Sequence, residues 1–327
     1  MSDTAVTRAM LEERPEKDTM RELWASAVMD VLEAGGAEEG DPLYLGLCGA
    51  KGLDILKLVE RGIIRRTETG AIAEEDLGKL YAIESDRNAA LSLQEEFGGL
   101  EVLDNTIENI LQMPSDLAWP GKRLKKILRS RVVNLDLNAC LAAELKQQQL
   151  HFPVVKMVEK LSRLHAESPH VDWTLCLTLH ADLKFQPGAF RRIAAYLAEN
   201  FSREAKYAEA SCTLLGEDLY KMLSEGTCED GTAKELSPEK IQCLMMALIP
   251  KRIISDTHRQ GWKVSTRRNI RYGATADTAP MVSWILDFEW DTRGSSAPDS
   301  LYSESLKTAI SGIEEIDSTG QLVALAA

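Results

Sequence analysis

Six short stretches of this 327-residue chain carry residue types that can do chemistry. The run Val133-Asn134-Leu135-Asp136-Leu137-Asn138 sets three side chains with acceptor oxygens among leucines. Such groups cost free energy when they are buried without partners, so the run asks for a ligand, a network or a turn. Asn134 and Asp136 could accept a hydrogen bond or a proton from a nucleophile, with Asn138 contacting the substrate. Alternatively, Asn134 and Asp136 cap the strand and the next helix. His180, in Leu179-His180-Ala181-Asp182, could accept a proton near neutral pH; a structural histidine at a strand end is the plainer reading.

Three further stretches suit a nucleotide-like ligand. Gly46, Gly49 and Gly52 follow a short apolar run with G-x-x-G-x-x-G spacing. Glycines at a strand-to-helix turn let the backbone approach a ligand, or let strand and helix pack tightly. The spacing differs from the G-x-G-x-x-G of nicotinamide and flavin proteins and disfavours a nicotinamide oxidoreductase. Glu84, in Ala82-Ile83-Glu84-Ser85-Asp86, is an acid at a strand tip, able to accept both hydroxyls of a ribose. Asp104 ends another apolar run and could accept from an adenine amino group, or cap the helix that follows. The sixth stretch holds Arg267, Arg268, Arg271 and Tyr272 near a turn, where they could hold phosphate and stack on a base.

These residues need elements to carry them. Residues 1–18 are expected as a loose polar arm, followed by a helix over 19–34 that ends at Gly35-Gly36. Strands are expected at 43–48, 80–83, 100–103, within 127–137, and at 171–179. Helices are expected at 53–61, 86–97, 106–111, 154–164 and 189–201. Such alternation predicts an α/β fold with a doubly wound, mostly parallel sheet. Residues 203–249 break the rhythm and are expected as a helical insertion with an acidic loop near 225–235. A helix over 253–260 and two strands, 262–270 and 281–288, follow, with the turn at 273–280. That pair suits an antiparallel strand near the edge of a seven-stranded sheet. The domain then spans 41–290, with an N-terminal arm and helix over 1–40. A tail over 291–327 carries a helix at 301–313.

Taken in order, the glycine turn, the acid after strand two and the Asp after strand three resemble the class I S-adenosylmethionine (SAM) methyltransferases. The resemblance covers residues 41–288 and implies a Rossmann-like fold with SAM as cofactor. It implies that Gly46, Gly49 and Gly52 form the methionine-side loop, that Glu84 holds the ribose, and that Asp104 contacts the adenine. The Asn134–Asn138 run is similar to the Asp-Pro-aromatic and Asn-Pro-Pro-aromatic motifs at the end of strand four in methyltransferases acting on amino groups. Two departures are visible. Leu43-Tyr44-Leu45-Gly46 lacks the family's acid late in strand one, and Leu137 stands where the motif has proline.

Composition bounds the rest. The chain is 44% hydrophobic and 27% charged, ordinary for a globular protein. A net charge of −13 argues against a protein that coats nucleic acid broadly. Basic character gathers at Lys122–Arg131 and Lys251–Arg271. The first stretch is expected as a solvated helix face; the second leaves a local nucleic-acid contact open. The helical insertion is a candidate surface for a protein partner. Six scattered cysteines, a polar N-terminus and the absence of any long apolar run lead us to expect a cytoplasmic protein with no membrane span and no metal site. The expected activity is SAM-dependent methyl transfer, with a nucleic acid as acceptor and a small molecule or protein as alternatives. The competing expectation is a binding or scaffold protein that kept the fold and lost the chemistry.

Overall fold

A computed structural model describes residues 14–35, 41–113, 120–147, 149–226, 228, 231–273, 280–291 and 308–324. The side chains of residues 120, 138–140 and 183–185 lie outside the described part, as do the backbones of the remaining segments. The chain divides into two compact units. The first comprises residues 1–136, 164–177 and 318–321; the second comprises 137–163, 178–317 and 322–327.

In the first unit, β1 (Tyr44–Gly46), β2 (Leu80–Glu84) and β3 (Glu101–Asp104) are parallel. β1 also pairs in parallel with the start of β4 (Val132–Lys146), so the order runs β3–β2–β1–β4, with β6 (Trp173–Phe185) next. The chain lays β2 and β3 to one side of β1 and then returns to the other side with β4. The order therefore reverses between β1 and β4. The register sets Gly46 beside both Ala82 and Asn134, and Glu84 beside Asp104.

The second unit holds the later halves of β4 and β6. β5 (Gln149–His151) folds back antiparallel on β4. β8 (Met281–Trp290) follows β6 in the order, then β7 (Trp262–Tyr272), β9 (Ile313–Ile316) and β10 (Leu322–Ala324). β7 and β8 are antiparallel, as the sequence suggests, whereas β9 lies parallel to β7. The fold is thus α/β with a mixed, mostly parallel sheet. Nine strands are successive neighbours, and β5 pairs only β4. That corrects the expected seven. The tail contributes the extra strands, and β9 begins at Ile313, where a helix over 301–313 was expected to end. Residues 308–310 are helical, and 301–307 lie outside the described residues.

Local chemistry explains most of the helices. Asp86 accepts from the backbone of Asn88 and Ala89 and starts the helix Arg87–Glu96. Ser237 caps the 21-residue helix Pro238–His258, with Pro238 in its first turn. This helix continues through Pro250 and joins the helical stretch expected to end at 249 to the helix expected at 253–260. Residues Leu244 to Lys251, with Ile253 and Ile254, are buried, and that burial offsets the hydrogen bond a proline cannot donate. The helices Ala205–Leu215 and Glu217–Ser224 and a short 3₁₀ turn at Thr232–Glu235 complete the expected helical insertion. Among the described residues, no helix is long and apolar enough to cross a membrane.

At the β7–β8 end, the fully buried Gln242 donates from Nε2 to the carbonyls of Tyr272 (3.0 Å) and Met281 (2.9 Å). One side chain thereby holds the end of one strand and the start of the next. Gln242→Leu removes that donor from both carbonyls and should lower stability by about 1–3 kcal/mol. Urea unfolding of the variant and the wild type would measure the difference.

Candidate functional site

The first helix starts at Pro15, not near residue 19, so Glu16, Lys17 and Asp18 belong to it rather than to an arm. Its inward stripe is Lys17, Met20, Arg21, Trp24 and Val28, all buried. Two cations on an inward face mask the apolar periodicity, which is why the sequence places the start too late.

Those cations meet acids just beyond β1 and five residues into β4. Lys17 Nζ donates to both oxygens of Asp136, each at 2.6 Å. Arg21 Nε donates to Asp54 Oδ1 at 3.2 Å. Asp54 sits in the first turn of the helix Leu53–Glu60, directly after the glycine turn. Its other oxygen accepts from Asn134 Nδ2 at 3.4 Å, and the same amide donates to the Tyr44 hydroxyl at 2.9 Å. Asn134 is wholly buried, and its Oδ1 has no hydrogen-bond partner among the described residues. Residues two apart in a strand share a face, and laterally paired residues of parallel strands do too. Tyr44, Gly46, Asn134, Asp136, Ala82 and Glu84 therefore lie on one face. Two strand spacings put the Glu84 and Asp136 backbones about 10 Å apart, on either side of the β1 tip.

Burial governs the electrostatics. It raises the Asp54 carboxyl to about 7; Asp136 pushes in the same direction, against Arg21 and Lys17. Burial likewise pushes the Tyr44 hydroxyl and the Cys48 thiol well up, aided by Asp54 in both cases and by Glu84 at Cys48. The cluster thus has two lysine- and arginine-borne positive charges facing two carboxylates, one of which titrates near neutrality.

The expected site residues divide. Asn134 and Asp136 meet at the switch point, although β4 does not end there. It continues for ten residues past Asp136, because its alternating pattern persists into the β5 hairpin. Both residues are thus strand residues in a polar network, not caps. Asn138 belongs to β4 by its backbone, and its side chain lies outside the described residues. Glu84 does end β2; it is buried, and one oxygen accepts from the Asp86 backbone at 2.9 Å. Asp104 ends β3 and is exposed. It is not a cap, since Thr106 caps the helix Ile107–Gln112.

The glycines serve the protein's own packing. A Cβ on Gly46 would stand 2.6 Å from the Tyr44 ring, which lies over it. Gly52 has φ +55°, and a Cβ there would meet Phe97 at 2.5 Å and Leu93 at 2.9 Å. Gly49 also has a left-handed backbone, with φ +59°.

The remaining candidates lie in the second unit. His180 is not at a strand tip; β6 runs five residues further, to Phe185. Arg267, Arg268, Arg271 and Tyr272 lie inside β7, not in the turn, whose residues 274–279 are outside the described part. Arg267 occupies a bulge and grips Asp287 through two hydrogen bonds, at 3.0 and 2.8 Å. Arg268 pairs with Glu314 and Arg271 with Glu315. Tyr272 is buried. The three guanidinium groups are neutralised across neighbouring strands, so they do not form an anion-binding turn. The earlier basic stretch behaves as expected of a solvated face: Arg123 pairs with Glu101, and Lys125 with Glu167.

Sequence reasoning missed Lys17, Arg21, Asp54 and Tyr44. A usable signal was present for Asp54 alone, an acid in the first turn after the glycines. The chain was also compared with family models and with curated proteins, and neither comparison returns a match.

The position of Asp54 gives a pH test. Its folded-state value near 7 exceeds the ordinary 3.8, so the folded chain holds a proton that the unfolded chain has lost between those values. The stability this contributes is complete below about pH 4 and is lost as pH rises through 7. Asp54→Asn removes the titration. Relative to wild type, the variant should gain roughly 1–3 kcal/mol between pH 5 and 7 and no more above it. Denaturant unfolding of both proteins across that range would show the trend.

Proposed function

We propose that this chain is a Rossmann-like protein of the methyltransferase type that binds SAM across the tips of β1, β2 and β3. Methyl transfer would take place at Asn134 and Asp136 of β4, beside the end of β1. The observation that carries this reading is the buried charged cluster at the point where the strand order reverses. In open α/β sheets, ligands bind outside the carboxyl ends of the strands at that point. A helix-covered sheet needs no such charges to fold, and their burial is costly. The parallel strands β1 to β4, followed by β6 and the antiparallel β7–β8 pair, fit the fold that the resemblance implies.

The residues fit the cofactor unevenly. Glu84 ends β2 as a buried carboxylate, the kind of group that accepts from the two hydroxyls of a ribose. The unpartnered, buried Oδ1 of Asn134 is an acceptor of the kind a ligand satisfies. The glycine run does not fit as a cradle, because Tyr44 and Phe97 already fill the space its missing side chains leave. The ammonium of the methionine end would fall to Asn134 and Asp54 in place of the absent strand-one acid.

SAM, when bound, would supply an electrophilic methyl group. The chain's own part would be positional. The ribose acid and the β4 acceptors face one another across the β1 tip. Asp136 would orient the acceptor nucleophile and take its proton. Tyr44 and the first helix would keep water from the face they cover.

A second reading is favoured by one contact. Lys17 already holds both oxygens of Asp136, as it would in a protein that kept the fold for binding and lost turnover.

Calorimetry separates these outcomes. Glu84→Ala should weaken SAM binding roughly tenfold to a hundredfold, the equivalent of ~1.5–3 kcal/mol, with the protein still folded. Asp136→Ala should leave SAM affinity within about threefold and lower any methyl transfer by ~10²–10⁴. Failure of the wild type to bind SAM would sink the cofactor reading. Binding without turnover on any acceptor would leave the second reading standing.

A further inference from the structure

We propose that Asn134 is a proton-coupled switch: its amide reverses end for end as Asp54 gains or loses a proton, so that the amide atom left unpaired between β1 and β4 changes from an acceptor to a donor. The inference goes beyond the SAM reading and needs no bound ligand. It stands on three contacts within the first unit. Asn134 Nδ2 donates to the Tyr44 hydroxyl at 2.9 Å and to Asp54 Oδ2 at 3.4 Å, while Oδ1 has no hydrogen-bond partner among the described residues. Arg21 Nε donates to Asp54 Oδ1 at 3.2 Å. That contact keeps Oδ1 an acceptor, so a proton taken up by this carboxyl belongs on Oδ2, the oxygen that faces Asn134.

Each protonation state then permits one orientation of the amide. Ionised Asp54 can only accept, so Nδ2 must face it; an amide oxygen in that place would set two acceptors together. Protonated Asp54 presents an O–H at Oδ2, and Nδ2 beside it would set two donors together. Reversal puts the amide oxygen there instead. It then accepts from Asp54 Oδ2–H and from the Tyr44 hydroxyl, whose proton rotates to suit. The two ends of a carboxamide are nearly equal in size, so both orientations fit the same wholly buried space. One end of the amide stays unpaired in either orientation, and the contact with Asp54 therefore decides between them. A fixed amide would face a like group in one of the two states, in an interior where such a conflict is poorly screened.

The surrounding groups leave Asp54 to titrate. It is faced from the first helix by Arg21 and Lys17, from β4 by Asp136, from β1 by Tyr44 and from the glycine turn by Cys48. Glu84 of β2 acts on Cys48, and Cys176 of β6 acts on Tyr44. Burial pushes the Tyr44 hydroxyl and the Cys48 thiol well up, so both keep their protons while Asp54, raised by burial to about 7, loses its own. Below that value the unpaired end of Asn134 is an N–H, and above it a carbonyl oxygen.

Nuclear magnetic resonance of the isotopically labelled full chain tests this between about pH 5 and 9, on either side of the Asp54 value. The Asp54 carboxyl carbon reports its proton. Cross-relaxation between the Asn134 Nδ2 protons and the Tyr44 ring protons reports the amide. The expected result is cross-relaxation present when Asp54 is ionised and lost when it is protonated, with one midpoint shared by both signals. In Asp54→Asn the Asn134 signals should not move with pH. Titration of the Asp54 carbon with the Nδ2–Tyr44 contact unchanged would overturn the switch. Absence of any Asp54 titration in this range would do so too, as would reversal of the amide with pH in Asp54→Asn. The wild-type result decides by itself if Asp54→Asn does not fold, and SAM affinity has no part in it.

Discussion

A lysine ammonium held by both oxygens of a half-buried strand aspartate ties the first unit together. Removing either charge from water costs several kcal/mol, and the mutual attraction offsets this only when geometry is good and the surrounding groups are satisfied. Here each condition recruits further residues. Lys17 can reach Asp136 only if the helix Pro15–Glu33 lies against the end of β1 and the first residues of β4. That placement brings Arg21 to Asp54, and Asp54 in turn orients the Asn134 amide toward Tyr44. Tyr44 must lean across its own strand to accept that bond, and Gly46 provides the room. The glycine that ends β1, read from the sequence as either a ligand approach or close packing, is thus explained by a tyrosine two residues earlier.

The same chain of dependence explains why the network is poised rather than locked. Asp54 is drawn toward its charged form by Arg21 and Lys17 and away from it by burial and Asp136. Burial prevails. A cluster whose net charge changes near neutral pH, at the place where the strand order reverses, is an unusual way to fasten a helix.

Much of this was legible in the sequence, and the exceptions have physical causes. Strands β1 to β3 were readable because each is short, apolar and closed by a turn or cap such as Asp86. β4 was truncated in the reading because Asn134, Asp136 and Asn138 look like an ending. A polar side chain every second residue is equally compatible with a strand that carries one polar face, and the strand runs on to Lys146. The first helix was started late because Lys17 and Arg21 interrupt its apolar stripe. The helix Pro238–His258 was read as two pieces, ending at 249 and resuming at 253, whereas burial of the residues around Pro250 carries it through. β9 and β10 were missed because Ile313–Ile316 carries two glutamates in four residues. Those glutamates are the partners of Arg268 and Arg271, which no local pattern could reveal.

The arginines of β7 also bear on what the chain can bind. A net charge of −13 leaves recognition of a polyanion to local basic surfaces. Yet Arg267, Arg268 and Arg271 each face a carboxylate on a neighbouring strand, so the most basic strand carries little uncompensated charge. The Lys122–Arg131 stretch is compensated in the same way by Glu101 and Glu167. Electrostatics therefore give a phosphate backbone few uncompensated places to bind among the described residues. The Asp136 carboxylate, near the start of β4, is compensated in the same way by Lys17.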